Sequence, residues 1–133
     1  MHWRFASGLL IGLLIHTAQA AESAAPPSFQ AYDLTTFDHE KIQRSVRAEL
    51  RDPKTAVFYE IFATREVGRP DMAYVCGYLN ARNGFDVYIG RRPFFGILDL
   101  RRTFFQPVAV GKSVDYTIEM CRTFGVDVTE PAS

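Results

Sequence analysis

The sequence has few of the residues on which most hydrolases and metalloproteins depend, with three histidines and two cysteines among 133 residues. Two of the histidines, His2 and His16, lie in the first twenty residues, so the rest of the chain keeps only His39. A Ser-His-Asp triad would have to use His39, and no Gly-x-Ser-x-Gly turn is present. No glycine-rich phosphate loop is present either. The sequence therefore argues against histidine-based catalysis and a zinc site, and it implies no cofactor.

The sequence also lacks an N-terminal hydrophobic run long enough to cross a bilayer. Residues 8–15 are apolar and His16 ends the run, whereas a membrane-spanning helix needs about 20 apolar residues. Arg4 precedes this run and Ala-Gln-Ala follows it at residues 18–20. A positive charge, a short apolar run and a small-x-small site predict a cleavable signal peptide over residues 1–20 rather than a membrane anchor. We therefore expect a periplasmic or secreted protein that does not span the membrane after cleavage.

Charge of one sign is not in excess, because 15 basic and 15 acidic residues cancel. Loss of Arg4 with the signal peptide would leave a net charge of −1. Nucleic-acid-binding domains usually carry a basic excess, so nucleic acid is not a predicted partner. The remaining length suits one core. We predict a flexible tether over residues 21–36, one domain over 37–128 and a tail over 129–133.

Both cysteines, Cys76 and Cys121, lie beyond the predicted signal peptide. Export brings them into an oxidising compartment, where two cysteines usually pair. The alternatives are a reactive thiol or a metal ligand, and no Cys-x-x-Cys motif supports thioredoxin-like chemistry. We predict a structural disulfide, which for a closed loop of about 45 residues contributes on the order of 4 kcal/mol.

Hydrophobic periodicity predicts a first helix that begins near Asp38, a plausible N-cap residue. Ile42, Val46 and Leu50 recur every four residues and form its apolar stripe. Pro53 disfavours the helical conformation of the residue before it, so the helix should end there.

A second helix is predicted near the C-terminus, with Ser113 as its N-cap and Gly125 just after its last turn. Between the helices, Asn83-Gly84 is a hairpin signal. The predicted strands cover residues 56–62, 73–79, 85–89 and 104–110. The sequence thus predicts an α+β fold with an N-terminal helix, three or four antiparallel strands and a C-terminal helix. A disulfide would place the last helix on the sheet face that carries Tyr74 and Tyr78.

Two stretches of the sequence resemble motifs of a known group of proteins. Residues 46–58 read Val-Arg-Ala-Glu-Leu-Arg-Asp-Pro-Lys-Thr-Ala-Val-Phe, and residues 75–85 read Val-Cys-Gly-Tyr-Leu-Asn-Ala-Arg-Asn-Gly-Phe and lead to Tyr88 and Gly90. Together they resemble a group of small exported bacterial proteins, most of which have no assigned activity. Those proteins share Leu-x-Asp-Pro-x-(Ser/Thr)-Ala-x-Phe and a later Cys-Gly-x-x-Asn-x-(Lys/Arg)-Asn that leads to Tyr-x-Gly. The resemblance implies an exported single domain.

The residues of these motifs have two interpretations. In the first, Pro53 and Thr55 shape a turn, Gly77 lets a ring pack over a strand, and Asn80 and Asn83 hydrogen-bond the backbone. In the second interpretation, some of these residues form a ligand-binding site. Its candidate ligand-binding residues are Cys76, Asn80, Arg82 and Asn83. The chain departs from the group at Asp86-Val87, where small residues or glycine are common.

A basic and aromatic segment stands out against the neutral whole. Residues 91–95 read Arg-Arg-Pro-Phe-Phe, and residues 101–105 read Arg-Arg-Thr-Phe-Phe. Such a segment suits an envelope protein or an anionic surface. The candidate partner-binding residues are Arg91, Arg92, Phe94, Phe95, Arg101, Arg102, Phe104 and Phe105. The other interpretation is that one phenylalanine of each pair faces the core and that the arginines extend over it.

Three functional hypotheses follow. The first is a non-catalytic domain that binds an envelope partner or surface through residues 91–105. The second is a small enzyme that uses carboxylates, and a pocket with two convergent carboxylates would favour it. The third is a structural envelope protein. An exposed apolar patch around the four phenylalanines would favour the first hypothesis.

Overall fold

The computed structural model describes residues 24–128. The predicted signal peptide, the start of the predicted tether and the predicted tail lie outside these residues. The strands are β1 (Phe29–Ala31), β2 (Val57–Glu66), β3 (Met72–Asn80), β4 (Arg92–Asp99) and β5 (Phe104–Ala109), and the helices are α1 (Thr36–Arg47) and α2 (Val114–Thr123). A short 3₁₀ turn covers Pro53–Thr55. The strands form one antiparallel sheet in the order β1-β2-β3-β4-β5.

The α+β class and the antiparallel sheet between two helices were predicted, but the strand count and the first element differ. The sheet has five strands, and β1 precedes α1 within the segment predicted as a tether. Residues 85–89 do not form a strand. Asp86 has a φ of 60° and Gly90 a φ of 89°, and a left-handed backbone interrupts a strand. Pairing with β3 resumes at Arg92, so β4 arises from the basic and aromatic segment.

The N-cap of the first helix lies three residues before the predicted one. Thr35 is the N-cap, and its hydroxyl accepts a hydrogen bond from the Asp38 backbone N–H at 3.1 Å. The Asp38 carboxylate accepts from the Thr35 backbone N–H at 2.9 Å in return. This capping box satisfies two backbone donors that a helix end leaves free. Asp38 therefore stabilises the first turn as its third residue rather than as its cap.

The sheet lies between the two helices. On one face, Ile42 and Val46 of α1 pack with Val75, Phe94 and other core residues. On the other face, Ile118 of α2 packs with a second cluster that includes Tyr74, Tyr78 and Phe95. No helix among residues 24–128 combines the length and the apolar character needed to cross a bilayer.

The predicted pairing of the cysteines is confirmed. Cys76 of β3 and Cys121 of α2 lie at disulfide distance, with their Cα atoms 6.0 Å apart, and both are fully buried. As predicted, α2 packs on the face that carries Tyr74 and Tyr78. The cross-link therefore joins α2 to a central strand of the sheet.

Two glycines allow rings to cross the first face. A Cβ atom on Gly77 would lie 2.8 Å from the Phe94 ring, as the sequence interpretation of Gly77 requires. A Cβ atom on Gly96 would overlap the Phe105 ring and lie 2.7 Å from the Gln106 carbonyl oxygen. A glycine in a strand often marks such a close approach.

Candidate functional site

The four phenylalanines of the basic and aromatic segment do not form one exposed patch. Phe94 and Phe95 are both 0% exposed and belong to the clusters on opposite faces of the sheet. Phe105 is buried beside Phe94, and only Phe104 is exposed, at 56%. These phenylalanines cannot jointly contact a partner while the fold is intact, because three of them are core residues.

The four arginines of the segment divide into two groups. Arg91 and Arg92 lie at the start of β4, and Arg101 and Arg102 lie in the turn after it. The strand has eight residues, so the two groups are about 25 Å apart at about 3.3 Å per residue. The guanidinium carbon of Arg91 lies 3.7 Å from the centre of the Tyr59 ring.

The two motif segments of the sequence meet at the β4 start. Thr55 Oγ1 accepts a hydrogen bond from the Arg82 backbone N–H at 3.0 Å. The Tyr88 hydroxyl donates to the Thr55 carbonyl oxygen at 3.1 Å. Asn80 Oδ1 accepts from the Gly90 backbone N–H at 3.1 Å. The motif residues thus fasten the loop between β3 and β4 to the 3₁₀ turn.

The amide of Asn83 organises the interior of this loop. Its Oδ1 accepts from the backbone N–H groups of Phe85 at 2.9 Å and Val87 at 3.2 Å. Its own backbone N–H donates to the Val87 carbonyl oxygen at 2.9 Å. Of the four candidate ligand-binding residues, Cys76 is in the disulfide, and the amide oxygens of Asn80 and Asn83 accept backbone hydrogen bonds. The Arg82 guanidinium is the candidate group that remains.

The β3–β4 loop (residues 81–91) exposes the apolar side chains of residues 85–89, whereas Ala81 at its start is buried. Phe85 is 87% exposed, and three further apolar residues of the loop are also exposed. Arg51 Nη1 comes within 3.0 Å of a Cβ placed on Gly84, the guanidinium carbon of Arg82 lies 5.2 Å from the centre of the Tyr88 ring, and Arg91 and Arg92 end the loop and begin β4. We define the loop surface as Phe85, Val87, Tyr88, Ile89, Arg51, Arg82, Arg91 and Arg92. Sequence reasoning assigned residues 85–89 to a strand and missed this surface, although Asn83-Gly84, Asp86 and Gly90 together are typical of a long turn.

A cleft of about 210 Å³ lies against the loop surface. Its walls come from the chain after α1, the ends of β3 and β5, the loop and the start of β4. The apolar lining residues are Leu50, Leu79, Ala81, Ile89, Pro93 and Val110. Glu49, Arg51, Arg82 and Arg92 are the charged ones. The walls of the cleft are therefore largely apolar. Its four charged residues, three arginines and one glutamate, carry a net positive charge.

Arg82 joins the loop and the cleft. Its Nη1 donates to Asp86 Oδ1 at 2.9 Å. This hydrogen bond, with the charge of Asp86, raises the pKa of Arg82. Its Nε is buried and meets no acceptor within residues 24–128.

A second, more open groove of about 440 Å³ lies beside the end of β1. It brings together His39, Asp33 and Asp127. Asp33 and Asp127 are exposed, whereas a carboxyl group that acts as a general acid at neutral pH usually has its pKa raised by burial. The groove thus brings two carboxylates together, as a carboxylate enzyme requires, but leaves both of them exposed to solvent.

Within the described residues, no group of three or more histidine, cysteine, aspartate or glutamate side chains is arranged to hold a metal ion. The chain matches no protein-family model, no curated protein and no solved structure. The geometry of the loop surface and its cleft therefore carries the functional argument.

Proposed function

We propose that this protein is a small exported domain, periplasmic or secreted, that binds an envelope partner or surface without catalysing a reaction. The contact region is the loop surface rather than the whole of residues 91–105. The signal-peptide pattern supports export. The buried Cys76–Cys121 pair suits an oxidising compartment.

One observation carries the proposal. The chain leaves four apolar side chains exposed within residues 85–89 of a loop that its own hydrogen bonds hold in shape, and arginines flank this stretch at positions 82, 91 and 92. Single exposed apolar residues are common, but a contiguous exposed apolar group marks an interaction site. Aromatic residues and arginine are also the types enriched where proteins bind partners.

The size of the cleft narrows what it accepts. Pockets that enclose a whole small ligand usually measure about 300–1,000 Å³, and this cleft measures about 210 Å³. It therefore suits one apolar group of a larger partner.

The proposal is tested by photo-crosslinking from two exposed phenylalanine positions in intact cells. A photoreactive phenylalanine derivative replaces Phe85 in one variant and Phe104, at the other end of β4, in the control. We expect adducts from position 85, identified as protein or lipid by mass spectrometry, and few from position 104. Equal yields from both positions, or none from position 85, would refute a binding role for the loop surface.

A further inference from the structure

We infer that the loop surface binds the headgroup layer of an anionic phospholipid bilayer, with the Phe85 ring inserted among the lipids. This inference rests on the proposed function and names the partner of the same surface. It uses three features of the loop: the shape of its apolar group, the charges around that group, and the contrast with the other end of β4.

The apolar group projects outward. All residues from 84 to 90 are exposed, and Phe85, at 87%, is the most exposed of the large apolar residues described. Phe85 and Val87 donate their backbone N–H groups to Asn83, so entry of their side chains into lipid does not leave these donors unpaired. A projecting apolar group suits a soft lipid layer, whereas a protein partner would need a matching concave surface.

The charges around this group suit a surface of phosphates. Arg51, Arg91 and Arg92 are exposed and have no ion pair among the described residues, and of these three Arg91 stacks on the Tyr59 ring. Arg82 is paired with Asp86 and so contributes less. Near an anionic membrane, each free arginine strengthens binding about fivefold. An inserted ring and several nearby cations supply the two contributions that peripheral membrane binding requires.

The other end of β4 supplies a control within the same molecule. It also carries an arginine pair, Arg101 and Arg102, and an exposed phenylalanine, Phe104, although Arg101 lies 3.9 Å from the Asp71 carboxylate. The two ends are about 25 Å apart, which is more than twice the Debye length of about 10 Å at 0.1 M salt. Charges at that end should barely contribute when the loop surface contacts the membrane.

A fluorescence experiment tests insertion directly. The only tryptophan of the chain is Trp3, so Phe85→Trp in residues 21–133 creates a single reporter. With vesicles of phosphatidylglycerol and phosphatidylethanolamine, we expect its emission to shift to shorter wavelength and to become protected from a soluble quencher. Phe104→Trp should show neither change. With phosphatidylcholine vesicles, both reporters should behave as they do in buffer.

Vesicle sedimentation of otherwise matched variants tests the arginines. Arg91→Gln with Arg92→Gln should weaken binding to anionic vesicles about 25-fold, at about fivefold per arginine. Arg101→Gln with Arg102→Gln removes the same charge and should leave binding within about twofold, since screening separates it from the membrane. Phe85→Ala should weaken binding about tenfold. Circular dichroism of each variant establishes that the fold is retained.

The outcomes separate this inference from the proposed function. No spectral shift of the Phe85→Trp reporter with anionic vesicles would overturn the inference, as would equal loss of binding from the two arginine pairs. If crosslinking from position 85 then yields protein adducts, the loop surface binds a protein and the proposed function stands. If it yields no adduct, both the inference and the proposed function are overturned.

Discussion

The two Arg-Arg-x-Phe-Phe repeats of this chain adopt different structures. In the first repeat both phenylalanines, Phe94 and Phe95, are completely buried. In the second, Phe105 is buried but Phe104 is 56% exposed. The difference follows from strand position. The first repeat enters β4, which lies between two strands, whereas the second enters β5 at the edge of the sheet.

The helices complete this difference. α2 packs on β4 and β3, whereas α1 packs on β5 from the opposite face. A central strand covered on both faces buries successive side chains, whereas an edge strand covered on one face buries alternate ones. The same five-residue pattern is thus fully buried at its phenylalanines in one place and half exposed in the other, so the motif alone does not predict which phenylalanines are exposed.

Alanine substitution of single phenylalanines should give the largest contrast between the repeats. Phe94→Ala or Phe95→Ala should lower the free energy of unfolding by about 3–5 kcal/mol, because each leaves a cavity in a packed core. Phe104→Ala should change it by no more than about 0.5 kcal/mol. Urea unfolding of the oxidised protein measures all three. Similar losses at positions 94 and 104 would contradict the burial difference described above.

A smaller effect is expected at Gly96, which lies between the repeats and under the Phe105 ring. Gly96→Ala should destabilise the protein by about 1–3 kcal/mol, since the new methyl group would overlap that ring and the Gln106 carbonyl. Gly84→Ala is the matched control, because its Cβ would meet only the movable end of Arg51. Equal effects of both variants on thermal unfolding would contradict the close approach of the Phe105 ring to Gly96.

The smallest expected effect is on the stability of the protein at acid pH, through the turn that begins the second repeat. Asp99 Oδ1 accepts hydrogen bonds from the backbone N–H groups of Arg102 and Arg101. The hydrogen bond from Arg102 is the main reason that the pKa of Asp99 is lowered from 3.8. A carboxylate with a lowered pKa stabilises the fold above its unfolded-state pKa, and this stabilisation is lost as the pH falls through the folded-state value.

Asp99→Asn should therefore unfold with a weaker pH dependence than the wild type below about pH 4. Chemical unfolding of both proteins at a series of pH values measures the difference. At neutral pH the variant should be slightly less stable. Parallel curves across the acid range would show that these two hydrogen bonds do not favour the charged carboxylate.

Features with a local cause could be predicted from the sequence. Ser113 caps α2, and Gly125 follows it with a φ of 74°, because both positions depend on the backbone of one turn. The cysteine pair was predicted from compartment and number alone. The start of α1 was misplaced because Thr35 and Asp38 are both good capping residues, and only their reciprocal hydrogen bonds distinguish cap from third residue.

Features that depend on distant partners could not be predicted. β1 is three residues long and exists because β2 offers an edge to it. The run in β4 lacks the alternation of a half-buried strand, since both faces of the strand are covered. The loop surface could not be predicted from the sequence for a related reason. Residues 85–89 have the composition of a strand, but Asn80, Asn83 and Thr55 hold them away from the sheet.

The cysteine pair has one more consequence for the exposed loop. Cys76 precedes the loop and Cys121 follows it, so residues 84–90 lie inside the covalent ring that the cross-link closes. A protease that cuts this loop opens the ring, but the two fragments stay attached to each other through sulfur. A protease can therefore cleave this exposed loop without separating the two fragments of the domain.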